Sequence, residues 1–233
     1  FCPGGLGGWV SFVKRPLLAP LELTIGAEER IDADGTISAP LNEASLRQQL
    51  SQLAATGEVE ALTICFINAY VNPEHEQRAA AIAADYFKDI PISISSDVVP
   101  EMQEYERTET TVVNSYVRPE VARYLNNLQN SLEERLGRDT QLSILRSDGG
   151  LASSRATADS PVNILMSGPA GGVAGALFFC EQAGYRNLLT FDMGGTSTDV
   201  ALIQDAKTNI RRETIVGDVR VRAPSVDVRT IGA

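Results

Sequence analysis

Hydrophobic positions in the first half of the chain alternate between the spacing of helices and that of strands. Leu46, Leu50 and Leu53 recur at helical intervals, which is typical of a helix with one buried face. The apolar run at residues 61–67 follows and predicts a short buried strand. A second helix and a second strand come next, with apolar positions at Ala79, Ile82, Ala83 and Tyr86 and at residues 90–94. This alternation predicts α/β layers.

A long helical pattern begins at Glu106. Pro119 lies inside it, and because proline removes a backbone donor and clashes with the preceding turn, we expect a break or a kink there. Gly137 is well placed to end the helix. The second part carries one apolar stripe, formed by Val121, Leu125, Leu128, Leu132 and Leu136. A strand is then predicted at residues 141–145, before a turn-like segment at 147–150.

The pattern of predicted secondary structure changes near Ser167. Residues 167–184 predict one more helix, and the positions after it are rich in strand patterns. We therefore divide the chain into residues 1–166 and residues 167–233, as parts of two lobes. Earlier in the chain, residues 7–40 predict loops and short strands, with a tight turn at Asp34-Gly35.

Charge excludes two classes of partner. The 233 residues carry a formal net charge of −10, and no run of Lys and Arg is longer than a pair. Nucleic acids and acidic membranes require a concentrated basic face, so we expect neither partner. The longest run of low polarity, residues 168–180, is too short and too rich in glycine to span a bilayer.

Cysteine usage favours a reducing compartment. The three cysteines, Cys2, Cys65 and Cys180, are far apart and form no Cys-x-x-Cys pair, so neither a zinc site nor a disulfide framework is indicated. Cys65 and Cys180 lie in apolar runs and are expected to be small buried hydrophobic residues of a cytoplasmic protein.

The strongest chemical signal is a polar turn between two apolar strands at residues 188–203. The turn combines glycines, hydroxyls and carboxylates, at Gly194 and Gly195, at Thr196, Ser197 and Thr198, and at Asp192 and Asp199. Glycines let backbone amides approach a phosphate closely, and paired carboxylates can hold a hydrated Mg²⁺. An ordinary hairpin with a Gly-Gly turn is the alternative. Such a hairpin does not require two acids and three hydroxyls, so we favour a phosphate site.

A run of small residues at 167–176 precedes this turn. Ser167 suits the N-cap of a helix. Each interior glycine destabilises a helix by about 1 kcal/mol relative to alanine, so a close neighbour must offset several of them. We expect packing at a hinge between lobes rather than direct catalysis. Leucine at Gly172 or Gly175 should then disturb the packing.

Other polar residues leave alternatives open. Asp148 follows a predicted strand. Its carboxylate either reaches a metal or a substrate, or it belongs to an ordinary Asp-Gly turn. His75, the single histidine, lies at a helix start, and we favour a capping surface residue over a metal or proton-transfer role. Glu104, Glu106 and Arg107 are expected to form surface or interlobe ion pairs.

A small-residue helix followed by the motif Asp-x-Gly-Gly-Thr-x-Thr-Asp at 192–199 resembles the actin-like ATPase superfamily, which includes sugar kinases and heat-shock chaperones. Further stretches narrow the resemblance to the hydantoinase/oxoprolinase family, with its ATP-dependent hydantoinase A and acetone-carboxylase-type subunits. They cover most of the chain from about Glu28 onward and are residues 72–76, 104–108, 147–151, 167–176 and 191–200.

The resemblance implies a fold, and it implies that this chain contains only part of that fold. The fold is an α/β actin-like, ribonuclease-H-like architecture that contains the end of one lobe and the start of the second. In this family a first phosphate loop is expected upstream and a nucleotide-base segment after Ala233. We therefore expect the chain to be incomplete, and by itself to bind ATP weakly and to hydrolyse none.

The resemblance also implies chemistry. The cofactors are ATP and Mg²⁺, and the reaction is the opening of a cyclic amide of the hydantoin or 5-oxoproline type through phosphoryl activation. Asp192, Asp199 and Asp148 are the implied catalytic residues, the first two also hold the metal, and residues 194–198 bind the nucleotide. A second subunit or domain is an expected partner. The alternatives are an ATP-dependent ketone carboxylase subunit and, from another class, a nucleotide-switched chaperone-like binding module.

Overall fold

The computed structural model describes residues 17–217 and 219–232. Cys2, the beginning of the predicted loop at residues 7–40, and Ala233 lie outside these residues. Within the described ranges, no helix is both long enough and apolar enough to cross a membrane.

The first layer confirms the predicted helix–strand alternation. Strands β3 (Leu62–Ile64) and β4 (Ile92–Ile94) pair in parallel, and helix α2 (Glu74–Ala83) connects them, because parallel strands need a crossover. Helix α1 (Glu43–Ala55) packs beside α2 and is capped by Asn42, whose Oδ1 accepts from Ser45 N at 3.2 Å. Most of the predicted apolar positions form one core with Phe87, which was not predicted, while the predicted Tyr86 packs against this core and is only partly buried. The buried members are Leu46, Leu50, Leu53, Ile64, Ala79, Ile82, Ala83, Phe87 and Ile94.

A small hairpin precedes α1. Strands β1 (Arg30–Ile31) and β2 (Ile37–Ala39) are antiparallel, and the turn between them contains the predicted Asp34-Gly35 pair. Gly35 has φ +88°, a backbone conformation that glycine adopts without strain. The amide hydrogen of Thr36 bonds to Asp34 Oδ1 and holds the pKa of that carboxyl below its usual value.

After the short helix α3 (Ser95–Val98), helix α4 runs from Glu104 to Leu136 and contains Pro119 without ending there. Gly137 follows its last residue with φ +106°, as predicted. The predicted apolar stripe is only partly buried: Leu125 lies inside, while Leu136 is exposed. The first half instead buries a polar face, which consists of Arg107, Thr110, Thr111, Asn114 and Ser115.

The middle of the chain forms a second hairpin and the small-residue helix. Strands β5 (Ser143–Leu145) and β6 (Leu151–Ser153) are antiparallel. Helix α5 (Ser154–Asp159) and a 3₁₀ turn (Pro161–Ile164) lead to helix α6 (Ser167–Gln182).

The last third of the chain is rich in strands, as predicted. Strands β7 (Leu188–Met193), β8 (Ser197–Gln204) and β14 (Val228–Gly232) form a sheet with β8 in the centre, and β9 (Lys207–Thr208) also pairs with β8. Two short antiparallel pairs lie between them in sequence: β10 (Ile210–Arg211) with β13 (Ser225–Val226), and β11 (Thr214–Val216) with β12 (Val219–Val221). The core between this sheet and α6 contains Ala170, Val173, Ala201, Ile203, Val226 and Val228.

Contacts also cross the division drawn at residue 166. One apolar cluster joins Val162 to Val221 and Ala223, with Val98 and Val113 packed against it. The Arg222 amide donates to Thr110 Oγ1 on α4 at 2.9 Å. The strands after β9 therefore pack back on the earlier part of the chain, and the division into residues 1–166 and 167–233 stays a prediction.

Candidate functional site

The polar turn at residues 194–196 closes a regular β-hairpin. Strands β7 and β8 pair so that Asp192 stands opposite Asp199 and Met193 opposite Thr198. Gly194 N donates to Ser197 O at 2.9 Å, which leaves Gly195 and Thr196 at the tip. The hairpin predicted from the sequence is confirmed, while its phosphate role stays a prediction.

The two carboxylates belong to a row of polar side chains that crosses three strands. On β14, Thr230 stands opposite Asp199, and its Oγ1 donates to Asp199 Oδ1 at 2.6 Å. Because side chains alternate between the faces of a sheet, Asp192, Asp199 and Thr230 share the face whose other members, Ala201 and Ile203, form the core against α6. The row thus lies where the buried core ends and the open hairpin begins.

Exposure differs among the predicted nucleotide-binding residues. Gly194, Gly195 and Thr196 are exposed, as is Asp192, so the tip is open to a ligand. Ser197 and Asp199 are half-buried. Thr198 is buried and alternates to the other face of the sheet, away from the carboxylates. The amides and hydroxyls at the tip are therefore more accessible than the hydroxyl of Thr198.

The glycines of α6 have different neighbours. A Cβ on Gly172 would lie 3.7 Å from Asp192 Oδ2, and a Cβ on Gly171 would lie 3.1 Å from Leu145 Cδ2 of β5, whereas a Cβ on Gly175 would meet no atom within 4 Å. The expected close packing therefore holds at Gly171 and Gly172. It is wrong for Gly175, because that face of the helix meets open space.

This contrast gives a prediction on stability. Gly171→Leu is expected to lower the free energy of unfolding by about 1–3 kcal/mol, because the larger side chain is forced against Leu145. Gly175→Leu, the matched control, should not lower it, since leucine is the better helix former by several tenths of a kcal/mol. Urea denaturation of both variants measures the difference. Equal destabilisation of both would contradict the packing described here.

The N-cap prediction at Ser167 is wrong by one residue. Helix α6 begins at Ser167, and its N-cap is Met166, which makes no side-chain capping bond. Instead, Met166 N donates to Ser147 Oγ at 2.9 Å. Ser147 is buried, and its backbone accepts from Val226 N and donates to Asn163 O, each at 2.8 Å. This serine therefore joins the end of β5 to the start of α6 and to β13, a role that no local pattern indicated.

Asp148 occupies the turn between β5 and β6. Its Oδ1 accepts from Gly150 N at 2.9 Å, and its Oδ2 accepts from Arg146 at 2.8 Å. Gly149 has φ +87°, as an Asp-Gly turn allows. Both oxygens are thus engaged inside the turn, which favours the turn over a metal or substrate ligand. The catalytic role stays a prediction.

Asp192 and Asp199 suit Mg²⁺ but do not form a complete protein cage. Among the described residues, no group of three or more His, Cys, Asp or Glu side chains is placed to hold a metal. Mg²⁺ usually keeps several waters and binds one or two carboxylates together with phosphate oxygens. The carboxylate pair therefore fits Mg²⁺ that arrives with a nucleotide.

The interpretation of His75 as a surface capping residue is wrong. Its side chain is buried, and Nδ1 lies 2.7 Å from Glu29 Oε2. Glu29 is equally enclosed, with 8% of its side chain exposed. A buried imidazole needs such a polar partner, and no local pattern indicated that Glu29, 46 residues upstream, would provide it.

The expectation of a surface or interlobe ion pair is also wrong for Arg107. Arg107 is 1% exposed, and its guanidinium donates to Ser95 Oγ, Glu101 O and Phe66 O at 2.6–2.9 Å. The guanidinium also lies over the ring of Tyr70, at 5.6 Å from its centroid. A buried cation is stable only when hydrogen-bond acceptors surround it in this way.

Arg107 is connected through Ser95 to a buried carboxylate, that of Glu76, whose role no local pattern indicated. Glu76 is 0% exposed and accepts from Phe66 N, Ser95 Oγ and Ser96 N at 2.6–2.8 Å. The Ser95 hydroxyl bridges Glu76 to Arg107. Two of the family-like stretches, residues 72–76 and 104–108, thus meet in one network, which joins the strand ends to α4.

Comparison with solved structures defines the class of the fold. A nucleotide-free structure of acetone carboxylase, described for ATP-dependent acetone carboxylation, matches with a TM-score of 0.85 and 32% identity, over 97% of this chain and 32% of that chain. The fold is the α/β actin-like ATPase type predicted from the sequence.

Sequence comparison identifies the family. The hydantoinase/oxoprolinase model matches residues 107–233, and the hydantoinase/oxoprolinase N-terminal region model matches residues 11–87. The chain belongs to the hydantoinase/oxoprolinase family, as its motifs predicted.

Two relatives show how far the match extends. Caprolactamase subunit alpha of Pseudomonas jessenii is 34% identical over 93% of this chain and 31% of its own length. The 5-oxoprolinase of Saccharomyces cerevisiae is 33% identical over 82% of this chain and 14% of its own length. The chain thus spans about a third or less of the relatives it matches.

Proposed function

We propose that this chain provides one phosphate-binding side of an enzyme that uses ATP to open a cyclic amide, of the hydantoin or 5-oxoproline type. The observation that carries the proposal is the pair Asp192 and Asp199, opposed on neighbouring strands beneath an exposed Gly-Gly-Thr tip. The family membership and the names of the relatives, caprolactamase and 5-oxoprolinase, support the substrate class.

In this proposal the residues act by position and charge. The Gly195 amide and the hydroxyls of Thr196 and Ser197 bind phosphate oxygens, and Gly194, which lacks a side chain, lets the phosphate approach the tip closely. Thr198 supports the turn from the other face of the sheet. Asp192 and Asp199 would hold the metal or its waters. A bound Mg²⁺ would supply positive charge against the transferred phosphate. Phosphoryl transfer to the amide oxygen makes a poor electrophile reactive toward water, so the contribution of the chain is positioning and electrostatic stabilisation.

The proposal includes a partner and a compartment. We infer a second subunit or domain of the same enzyme, because the relatives include subunits by name and because phosphoryl transfer needs groups held on both sides of the phosphate. A reducing cytoplasm is consistent with Cys65 and Cys180, which are free cysteines.

One rival reaction is supported by a specific observation. The structural match to acetone carboxylase favours an ATP-dependent ketone carboxylase, which would use the same hairpin. A chaperone-like switch would also use it, but without a small-molecule product.

Product analysis of the complete protein separates these functions. We expect phosphate release from Mg-ATP to rise when L-5-oxoproline or hydantoin is added, with the ring-opened acid formed in proportion. A carboxylated ketone formed from acetone and bicarbonate would support the rival enzyme. ATP hydrolysis that neither compound affects, together with peptide binding, would support the switch.

A further inference from the structure

A cavity of about 520 Å³ lies between helices α4 and α5. One wall is a face of α4 whose lining positions recur every three or four residues, from Arg118 to Gln129. The other wall is α5, and Pro91 contributes the remaining surface. The volume lies within the range of about 300–1,000 Å³ that is usual for small-molecule sites. None of the lining residues belongs to the hairpin at 188–203 or to β14, so this cavity is separate from the proposed phosphate site.

Hydrogen bonds hold the two walls in place. Arg118 donates to Ile92 O at 2.6 Å and to Asp159 Oδ1 at 2.7 Å. On the same face of α4, Gln129 Oε1 accepts from Ser154 Oγ at 3.3 Å. Because these contacts join α4 to both ends of α5 and to the first residue of β4, the cavity is a fixed feature of the fold.

Two lining side chains are unpaired. Asn126 of α4 and Arg155 of α5 have no hydrogen bond or ion pair through their side chains with any residue that the structure describes. Both are exposed, so a ligand can reach them. A guanidinium is purely a donor, and an asparagine amide offers more donors than acceptors. The unpaired groups on the two walls therefore suit a ligand that is rich in acceptor oxygens.

The charges around the cavity favour a ligand with a single negative charge. Arg118 and Asp159 form an ion pair, which leaves Arg155 as the uncompensated charge among the lining residues. Glu133 accepts from Gln129 at 2.7 Å, and when this carboxylate is included the group is neutral. Attraction must therefore come from direct hydrogen bonds to the unpaired donors rather than from a long-range field. A nearly neutral group suits a monocarboxylate better than a doubly charged phosphate.

Small apolar side chains leave room for the body of such a ligand. Ala122 on α4 and Ala158 on α5 line the cavity together with Pro91. Since alanine extends only a methyl group from each helix, a flat ring can lie between the walls. Ligand sites generally combine apolar surface with a few polar groups that fix orientation, and these walls have that composition.

We propose that the cavity between α4 and α5 binds a small monocarboxylic acid, whose carboxylate bridges Arg155 and Asn126 and whose apolar body lies against Pro91, Ala122 and Ala158. A guanidinium binds a carboxylate through two parallel hydrogen bonds, which a neutral amide of the same shape cannot form. The site is additional to the proposed ATP-dependent reaction and does not depend on it.

The test uses benzoate and its neutral analogue benzamide as probes on the complete protein. Phenylglyoxal modifies accessible arginines, and mass spectrometry of peptides measures the modification at each position. We expect a dissociation constant of about 1 mM for benzoate. At roughly ten times that concentration, modification of Arg155 should slow by about tenfold, while benzamide should not slow it. Arg135 is the internal control, because it is also an exposed arginine without an ion pair among the described residues but does not line the cavity.

Asn126→Ala tests the second contact of the carboxylate. This variant should raise the benzoate concentration that half-protects Arg155 by about tenfold, because it removes a hydrogen bond to a charged group. Asn127→Ala is the matched control, since Asn127 is the next residue, is equally exposed and does not line the cavity. Circular dichroism checks that both variants are folded.

Equal protection of Arg155 and Arg135, equal protection by benzamide, or protection that Asn126→Ala leaves unchanged would overturn the inference. Inorganic phosphate is the third probe. If phosphate protects Arg155 more strongly than benzoate does, the cavity takes a phosphate group and the monocarboxylate is rejected. None of these measurements involves ATP turnover, so their failure would leave the proposed function intact.

Discussion

Alanine at Asp192 or at Asp199 is expected to abolish ATP turnover by the complete protein and to leave the protein folded. Both carboxylates lie at the open end of the sheet, and Asp192 is exposed, so neither removal leaves a cavity in the core. Phosphoryl transfer depends on charge placed around the phosphates, and loss of one such group lowers turnover by on the order of a hundredfold or more. Steady-state phosphate release, with circular dichroism as the folding readout, measures both parts.

The two aspartates have different surroundings, which sharpens the test. Asp199 accepts from Thr230, so Thr230→Val removes a positioning contact but keeps the carboxylate and should have a smaller effect than Asp199→Ala. Asp139→Ala is the matched control, because Asp139 is an exposed aspartate far along the chain from the hairpin and should leave turnover unchanged. Near-normal turnover in both Asp192→Ala and Asp199→Ala would reject the metal and phosphate roles.

The parts of the site that could be predicted from the sequence are local. The hairpin depends on alternation in two adjacent strands and on a turn of fixed length, so its register and the opposition of Asp192 and Asp199 follow from residues close in sequence. The glycines of α6 also indicated close packing. Their periodicity did not say which of them meet a neighbour, because that depends on where β5 and the hairpin lie in space.

The parts that could not be predicted depend on partners distant in sequence. The sequence predicts a surface position for His75 and a surface or interlobe ion pair for Arg107, because charged and polar side chains are usually exposed. Each is buried because specific partners satisfy its polar atoms. Glu29 contacts the His75 imidazole, and a set of carbonyl and hydroxyl oxygens accepts from the Arg107 guanidinium. A single sequence carries no signal for such pairings, and the same holds for the contact of Thr230 with Asp199.

The network around Glu76 gives the largest expected effect on stability. Glu76→Ala removes the acceptor of two backbone amides and of the Ser95 hydroxyl, and it removes the negative charge nearest in the network to buried Arg107. Breaking a buried charged network by removal of one partner is strongly destabilising, by about 3–5 kcal/mol, because the remaining donors and the cation stay buried without compensation.

Urea denaturation of the complete protein measures this effect, and the same helix provides its control. Glu74 is exposed in the first turn of α2, so Glu74→Ala changes the same residue type at nearly the same position and should shift the free energy of unfolding by no more than about 0.5 kcal/mol. Glu76→Gln keeps the shape and one acceptor oxygen but turns an amide group toward donors, so its effect should lie between the two alanine variants. If Glu76→Ala is as stable as Glu74→Ala, the carboxylate does not balance Arg107, and the three oxygens that accept from the guanidinium must satisfy that cation by themselves.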